Sequence, residues 1–210
     1  MKSATGNRAY RQGLRAETAE ANTQRILEAA LELFTELPFD QITLAQVSER
    51  AGVGLQTLIR RVGTKDGLVR AVNEWIHPVI GSARGEPSSA DPADVAAALA
   101  PQYERWGALI DRTLRQEDVS PALAEGAEGG RTAHRAWIDA AFAEALAARR
   151  PAAHRRLRAR LVAICGVELW LVLRRDEGLT VAEARDTVAD LVAACLAGPC
   201  VADHGKEHTR

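Results

Sequence analysis

Residues 55–65 bring together side chains that can hydrogen-bond to the edges of nucleic-acid bases. Gln56 can pair bidentately with adenine, and either Arg60 or Arg61 can pair in the same way with guanine. Leu55 can contact the methyl group of thymine. The segment therefore carries the side-chain types that read base pairs in the major groove.

The neighbouring positions suit the phosphate backbone. Thr57 and Lys65 can donate hydrogen bonds to phosphate oxygens. Thr43 and Thr64 stand at predicted helix starts, where backbone amides without an intrahelical partner form additional donors for an anion. Contacts of this kind would position the protein on DNA, whereas the base contacts would supply specificity.

Two short helices and a tight turn must hold these side chains in place. Thr43 and Gln46 match the capping box of a helix that can run only to about residue 51, because Gly52 follows. After the turn 52–54, a second helix is expected over 55–62. This is the spacing of a helix-turn-helix, in which the second helix enters the major groove.

Further helices are expected on both sides of this motif. Apolar residues recur at helical spacing from about residue 23 until Pro38, and residues 1–22 are expected to form a flexible arm. A fourth helix should start at Thr64, with Pro78 ending or kinking it near His77. The segment 23–80 is therefore predicted to be a helix-turn-helix domain.

The rest of the chain also has a helical pattern. Gly, Pro and Ser concentrate in 81–92, which predicts a domain boundary, and loop signals include the glycines of 126–130. Helices are expected over 93–115, 131–149, 154–175 and 181–196, followed by a polar tail over 200–210. No run predicts a strand, so the expected fold is all-α, with an N-terminal three-helix helix-turn-helix domain joined to a larger helical domain.

Composition excludes several classes of protein. The formal charge of −1 argues against a polybasic binder, and three cysteines without C-x-x-C spacing argue against a disulfide scaffold or a zinc knuckle. The longest apolar stretch, 161–173, contains Glu168 and is too short to span a bilayer, and the N-terminus has no secretory pattern. A cytoplasmic protein without metal or cofactor is expected.

Enzymatic motifs are absent from the sequence. It has no phosphate-binding G-x-x-x-x-G-K-[ST], no G-x-S-x-G and no H-E-x-x-H. Two alternatives to a DNA-binding protein stay open at this point, a small all-α ligand-binding enzyme and an adaptor that binds only protein. Sequence-specific retention of DNA without turnover would separate these classes.

Residues 23–76 resemble the DNA-binding domain of the TetR family of bacterial transcriptional regulators. The resemblance is carried by RILEAALELF at 25–34, ITLAQVSERAGV at 42–53 and TLIRRVGTKDGLVRAV at 57–72. Lys65 matches the lysine that follows the family's recognition helix, whereas Ile59 stands where an aromatic residue is usual.

The resemblance implies that residues 93–199 form a ligand-binding and dimerisation domain. It further implies a homodimeric repressor that leaves its operator DNA when a small molecule shifts the fourth helix. The helices 154–175 and 181–196 would form the dimer interface, and both carry more apolar residues than a one-sided surface helix needs. The candidates for this interface are Leu161, Ile164, Leu169, Val172, Val188, Leu191, Val192 and Cys195.

Large side chains among alanines predict a ligand cavity of roughly several hundred Å³ in this second domain. The candidates for its lining are Tyr103, Trp106, Ile110, Trp137, Phe142 and Glu168. Core filling is the alternative role for the rings. Glu168 shares a stripe with apolar residues, so a buried carboxylate is expected there, paired either with an arginine or with a ligand. The expected effector is largely apolar and neutral or weakly cationic.

Overall fold

The computed structural model describes residues 4–87 and 89–197, with side chains from residue 17 onward, and this part of the chain is helical without a β-strand. Short irregular segments connect the helices, among them a 3-10 turn at Phe39–Gln41 and a π-helical turn at Val172–Asp176. The helices are α1 Ala4–Glu36, α2 Leu44–Ala51, α3 Leu55–Val62, α4 Lys65–Arg84, α5 Pro92–Arg115, α6 Pro121–Ala141, α7 Ala143–Ala147, α8 Pro151–Ile164, α9 Val167–Leu171 and α10 Val181–Ala197.

The chain divides into two compact units. The first comprises Met1–Val79 and Ala108–Gly129, and the second comprises Ile80–Gly107 and Gly130–Arg210. This division differs from the predicted boundary at 81–92, because 108–129 lies with the N-terminal part of the chain. The predicted polar tail, 200–210, is outside the described residues.

Helix α1 is longer than the sequence pattern predicts. The expectation of a flexible arm over 1–22 is wrong for residues 4–22, which are helical and continuous with the packed part of α1. The segment has weak apolar periodicity, yet it contains several alanines and no proline, so helix propensity favours a helix there. Among the side chains described from residue 17 onward, the first buried one of α1 is Ile26, and the buried face includes Leu33.

The helix-turn-helix forms as predicted. The Thr43 hydroxyl accepts from the Gln46 amide at 3.2 Å and the Gln46 side chain accepts from the Thr43 amide at 2.7 Å, which completes the capping box of α2. Gly52 ends α2 with a φ of 61°, a left-handed conformation that glycine adopts without steric cost. Arg50 donates to Glu36 at 2.7 Å, which helps to fix α2 against α1.

Two helices continue through residues at which the sequence predicts a helix end or a loop. Helix α4 continues past Pro78 to Arg84, and α6 continues through the predicted loop 126–130. A Cβ at Gly126 would lie 2.4 Å from the Asn73 side chain, and a Cβ at Gly129 would lie 3.0 Å from the His77 ring. These glycines therefore permit close packing of α6 on α4 and do not form a loop.

Residues 108–129 support the helix-turn-helix from within the first unit. Gln116 accepts from the Phe39 amide at 2.7 Å, and Ser120 donates to Asp66 at 2.9 Å. Arg70 of α4 makes a bidentate pair with Glu125, at 2.7 and 3.0 Å. These contacts connect the 3-10 turn and the start of α4 to the segment between α5 and α6 and to the N-terminal part of α6.

The second unit is built around a break in the helix predicted over 154–175. Helix α8 ends at Ile164, and the buried Gly166 precedes α9 in an extended conformation. The break leaves the carbonyl of Cys165 without its helical partner, and the buried Tyr103 hydroxyl donates to it at 2.7 Å. Helix α10 packs against α8. No helix in the described part of the chain is both long and apolar enough to cross a membrane.

Candidate nucleic-acid interface

Helix α3 exposes most of its side chains and buries Leu58 completely. Gln56 and Arg60 stand two positions before and after Leu58, which places each about 160° around the helix from it. Both are exposed. The two residues therefore share the face of α3 that points away from the core of the unit.

Arg61 occupies a different position on α3. It is exposed, but it stands three positions after Leu58 and so lies only about 60° from the buried side. The sequence left Arg60 and Arg61 as equal candidates for pairing with guanine. The geometry favours Arg60 for a base edge and leaves Arg61 at the flank of the helix.

An apolar pair lies on the flank of α3 opposite Arg61, because Leu55 and Ile59 stand about 60° and about 100° around the helix from Leu58. Leu55 and Ile59 are 38% and 37% exposed, and they are one helical turn apart. Leu55 was a candidate for contact with thymine, whereas Ile59, which is exposed beside it, was not named as a candidate. Its spacing of four from Leu55 is the sequence signal that could have identified it.

The candidates for phosphate contact differ in their exposure and in their hydrogen bonds within the protein. Thr43 is exposed, but its amide and hydroxyl are engaged with Gln46, so the next two amides of α2 become the donors that an anion could approach. Thr57 is half-buried in the first turn of α3.

Lys65 is half-buried and already has contacts within the first unit. Its Nζ donates to the Phe39 carbonyl and lies 4.0 Å from the centre of the Phe39 ring. Burial lowers the pKa of Lys65, whereas the charges of Asp40 and Asp66 oppose this shift. Lys65 therefore anchors the start of α4 to the 3-10 turn, and its remaining N–H donors are available to a phosphate.

The predicted ligand residues do not form one group. Ile110 belongs to the first unit, and the other five belong to the second. Tyr103, Trp137 and Phe142 are buried, and Trp106 is half-buried. One small cavity, of about 20 Å³, lies in the first unit, and none of the predicted residues lines it; its lining includes Phe34, Arg112 and Leu123.

The expectation of a buried Glu168 carboxylate is wrong. Glu168 is exposed at the start of α9, because the break at Gly166 shifts the helical register of the apolar stripe. Sequence reasoning instead missed two polar residues inside the second unit, the buried Arg84 and the half-buried His134. Arg84 ends a helix that Pro78 was expected to interrupt, so no pattern predicted its burial.

The predicted interface residues separate into three sets by their exposure. Leu161, Val188 and Val192 are buried within the second unit, where α8 and α10 pack together, so packing inside the subunit accounts for their apolar character. Val172 and Leu191 are 42% and 38% exposed. Ile164, Leu169 and Cys195 are half-buried.

The described residues give little support to metal binding or to a nucleophilic cysteine. Among them, no group of three or more His, Cys, Asp and Glu side chains is arranged to hold a metal ion. Burial raises the pKa of the Cys165 thiol to about 12, so this thiol is protonated at neutral pH and is a poor nucleophile.

Comparison with known proteins agrees with this geometry. Residues 26–72 match the family described as bacterial regulatory proteins, tetR family. No curated protein gives a significant match to the chain.

Solved structures share the fold at low sequence identity. A protein described as a transcriptional regulator from Pseudomonas aeruginosa PAO1 is 15% identical, with a TM-score of 0.66, covering 84% of this chain and 90% of that one. A tetR-family transcriptional regulator from Streptomyces coelicolor is 16% identical, with a TM-score of 0.61, covering 84% and 80%. These likenesses extend over the larger helical part of the chain and establish its fold. The match at 26–72 and the geometry of α2 and α3 show that this region of the chain is similar to the helix-turn-helix of bacterial regulatory proteins of the tetR family.

Proposed function

We propose that the protein is a transcriptional regulator that places α3 in the major groove of operator DNA. The observation that carries the proposal is the exposure of Gln56 and Arg60 on the face opposite the buried Leu58. Gln56 would pair with adenine and Arg60 with guanine, while Leu55 and Ile59 would pack against thymine methyl groups. Such direct contacts would make binding specific for a base sequence.

Phosphate contacts would come from the edges of the same surface. Arg61, at the flank of α3, suits a phosphate oxygen, as do Thr57 and the unused N–H groups of Lys65. The first amides of α2, next to Thr43, would donate to a phosphate on the other side of the turn. These contacts would hold α3 in register without adding specificity.

The active species would be a homodimer. Two reading helices related by a two-fold axis require an operator that is a near-palindrome. Leu191 on α10 and Val172 in the π-helical turn are exposed apolar side chains at the interface implied by the family resemblance. Burial of these side chains against a second copy would provide part of the association energy.

We propose further that the protein is a repressor released by a small, largely apolar molecule. The DNA-binding region would comprise 23–80, supported by 108–129, and the effector and dimer functions would belong to the rest of 93–199. Helix α4 begins three residues after α3 and ends at Arg84, so it is the element through which a bound ligand would act on α3. The ligand must bind the geometry without DNA more tightly, and such coupling typically amounts to about 1–3 kcal/mol. The protein would act in the cytoplasm, without catalysis.

Footprinting on the DNA that flanks the gene of this protein tests the proposal. We expect protection of a near-palindromic site, with half-sites separated by about one helical turn or a multiple of it. Screening for small molecules that remove the footprint then tests ligand release. Equal affinity for the flanking DNA and for random DNA of the same length would contradict the assignment of α3 as a reading helix.

A further inference from the structure

A positively charged side chain lies inside the second unit without a carboxylate partner. Arg84, the last residue of α4, is only 9% exposed. No ion pair within the described part of the chain includes Arg84, and among the same residues its Nε is buried without a hydrogen-bond partner. Folded proteins rarely bury a guanidinium unless an anion compensates its charge.

The groups around this guanidinium are neutral. It lies 4.6 Å from the centre of the Trp137 ring, and one terminal nitrogen is 3.2 Å from Nδ1 of His134. The other ring nitrogen of His134 lies 3.0 Å from the Val162 carbonyl, to which it must donate, so Nδ1 accepts from Arg84 and the imidazole is neutral. The Tyr103 hydroxyl interacts with Arg84 as well, and it donates its own hydrogen bond to the backbone carbonyl of Cys165.

The electrostatic environment as it stands disfavours positive charge. Burial lowers the pKa of Arg84 from its usual value, and burial also lowers the pKa of His134. The charge of the exposed Glu168 acts on Tyr103 and His134 but is not among the charges that act on Arg84, so it does not neutralise the guanidinium. An anion at this position would supply the missing charge and accept from the unpartnered Nε.

We propose that the cluster of Arg84, Tyr103, His134 and Trp137 is the effector site, and that its ligand is a carboxylic acid with an apolar body. A carboxylate matches the planar donor geometry of a guanidinium, and the apolar body would pack among the aromatic side chains of the unit. This inference rests on the proposed function, because it names the ligand class of the regulator. It replaces the neutral or cationic effector that a buried Glu168 had predicted.

The position of the cluster gives the ligand a direct means of action. The Trp137 indole N–H donates to the Gly85 carbonyl at 2.9 Å, which ties the end of α4 to α6 beside Arg84. A carboxylate that engages Arg84 would compete with the contacts to His134 and Trp137. The last turn of α4 would then shift, and this is the same helix that begins next to α3.

Matched pairs of acids and amides test the ligand class. The full-length protein is titrated with benzoate, phenylacetate and octanoate, and with benzamide, phenylacetamide and octanamide, while tryptophan fluorescence and Tm are followed. At least one acid should quench the fluorescence and raise Tm saturably, and its amide should not. Failure of all three acids, or equal binding of acid and amide, would overturn the proposal.

Substitution of Arg84 tests the site. Arg84→Met should weaken binding of the active acid by about 10-fold to 100-fold, the usual range for a hydrogen bond to a charged group. Arg158→Met is the matched control, because Arg158 lies in the same unit but pairs with Asp139 at 2.6 Å. Unchanged affinity in Arg84→Met, or an equal loss in Arg158→Met, would place the acid elsewhere.

The ligand-free protein provides an independent readout. If the charge of Arg84 is compensated only when an anion binds, Arg84→Met should raise the Tm of the ligand-free protein, because the apolar side chain replaces an uncompensated buried charge. A lower Tm would mean that the contacts with Trp137 and His134 are structural, and it would overturn the proposal. Arg84→Gln serves the same purpose if the methionine variant does not fold. Operator binding by the wild type is measured in parallel without any acid. A wild type that binds the acid but not the operator would contradict the proposed function and would still support the carboxylate site.

Discussion

At the scale of single residues, the position of a side chain around α3 predicts which of the two arginines would contact a base. Arg60→Ala should weaken binding to the cognate operator by about 1–3 kcal/mol per half-site and relax the base preference at one position. The reason is that Arg60 lies opposite the buried Leu58. Equilibrium titrations on the operator and on variants with single base changes measure both effects.

Arg61→Ala is the matched control for this experiment. It removes the same charge from the next position, which lies at the flank of α3. We expect it to weaken binding to all sequences about equally and to reduce the salt dependence. A specificity change in Arg61→Ala and none in Arg60→Ala would reverse the assignment.

Lys65 combines a structural contact with a candidate phosphate contact. Lys65→Met should lower the free energy of unfolding, because the donor to Phe39 and the cation–π contact disappear together. It should also lower the slope of log affinity against log salt by about one. Urea denaturation and DNA titrations at several salt concentrations separate the two losses, and a variant that changes only stability would remove Lys65 from the interface.

His134 should make the stability of the protein sensitive to acid. Burial is the main cause that lowers its pKa below the usual 6.5, although the carbonyl of Val162 and the charge of Glu168 oppose the shift and Arg84 and Arg135 add to it. Below pH 6.5 the unfolded chain therefore binds the extra proton more readily than the folded one, so stability falls as the pH decreases.

The measurement is denaturant unfolding at about pH 7.5 and at about pH 5. His134→Gln should lose less stability between the two than the wild type, because glutamine has no proton to gain. His77, whose pKa burial also lowers, is present in both proteins and cancels in the comparison. An identical loss in the two proteins would contradict a neutral, half-buried His134.

At the scale of helices, the packing of α6 on α4 depends on glycine. Gly126→Ala should destabilise the protein by about 1–3 kcal/mol, because the new Cβ collides with Asn73 and disturbs its hydrogen bond to the Ala122 carbonyl. Gly130→Ala is the control in the same helix. Its Cβ meets nothing within 4 Å, so it should stabilise by about 0.5–1 kcal/mol.

Thermal unfolding of the two variants checks this prediction, and Gly126→Ala with Asn73→Ala should recover part of the loss. The same glycines explain why the sequence predicted a loop at 126–130. A cluster of glycines indicates a loop when only local preference is considered, whereas close packing with another helix requires glycine for a different reason. Local patterns cannot distinguish these two cases, because Asn73 and His77 are about fifty residues away in the sequence.

At the scale of the whole molecule, association should depend on the exposed side of α10. Leu191→Arg should convert a dimer into a monomer without unfolding it, because Leu191 is already 38% exposed in the single subunit. Val119→Arg is the control, since Val119 is 51% exposed in the first unit and outside the proposed interface. Sedimentation at micromolar concentration measures both, and a monomeric wild type would contradict the proposed dimer.

The sequence by itself determined the reading motif, because every signal needed for it is local. Thr43 and Gln46 cap α2 through bonds that span three residues, and Gly52 ends it through its own backbone conformation. The helical class of the chain follows in the same way from composition and periodicity. The candidate base-reading residues could therefore be named in advance, apart from Ile59 and the choice between Arg60 and Arg61.

Only the tertiary structure decided which residues of the remaining chain are buried and which residues they contact. The association of 108–129 with the first unit depends on contacts such as Arg70 with Glu125, which are 55 residues apart. The exposure of Glu168 follows from the break at Gly166, and the burial of Arg84 follows from a helix that continues past Pro78. Burial of a charge depends on the partners that long-range packing brings to it, and no local pattern records those partners.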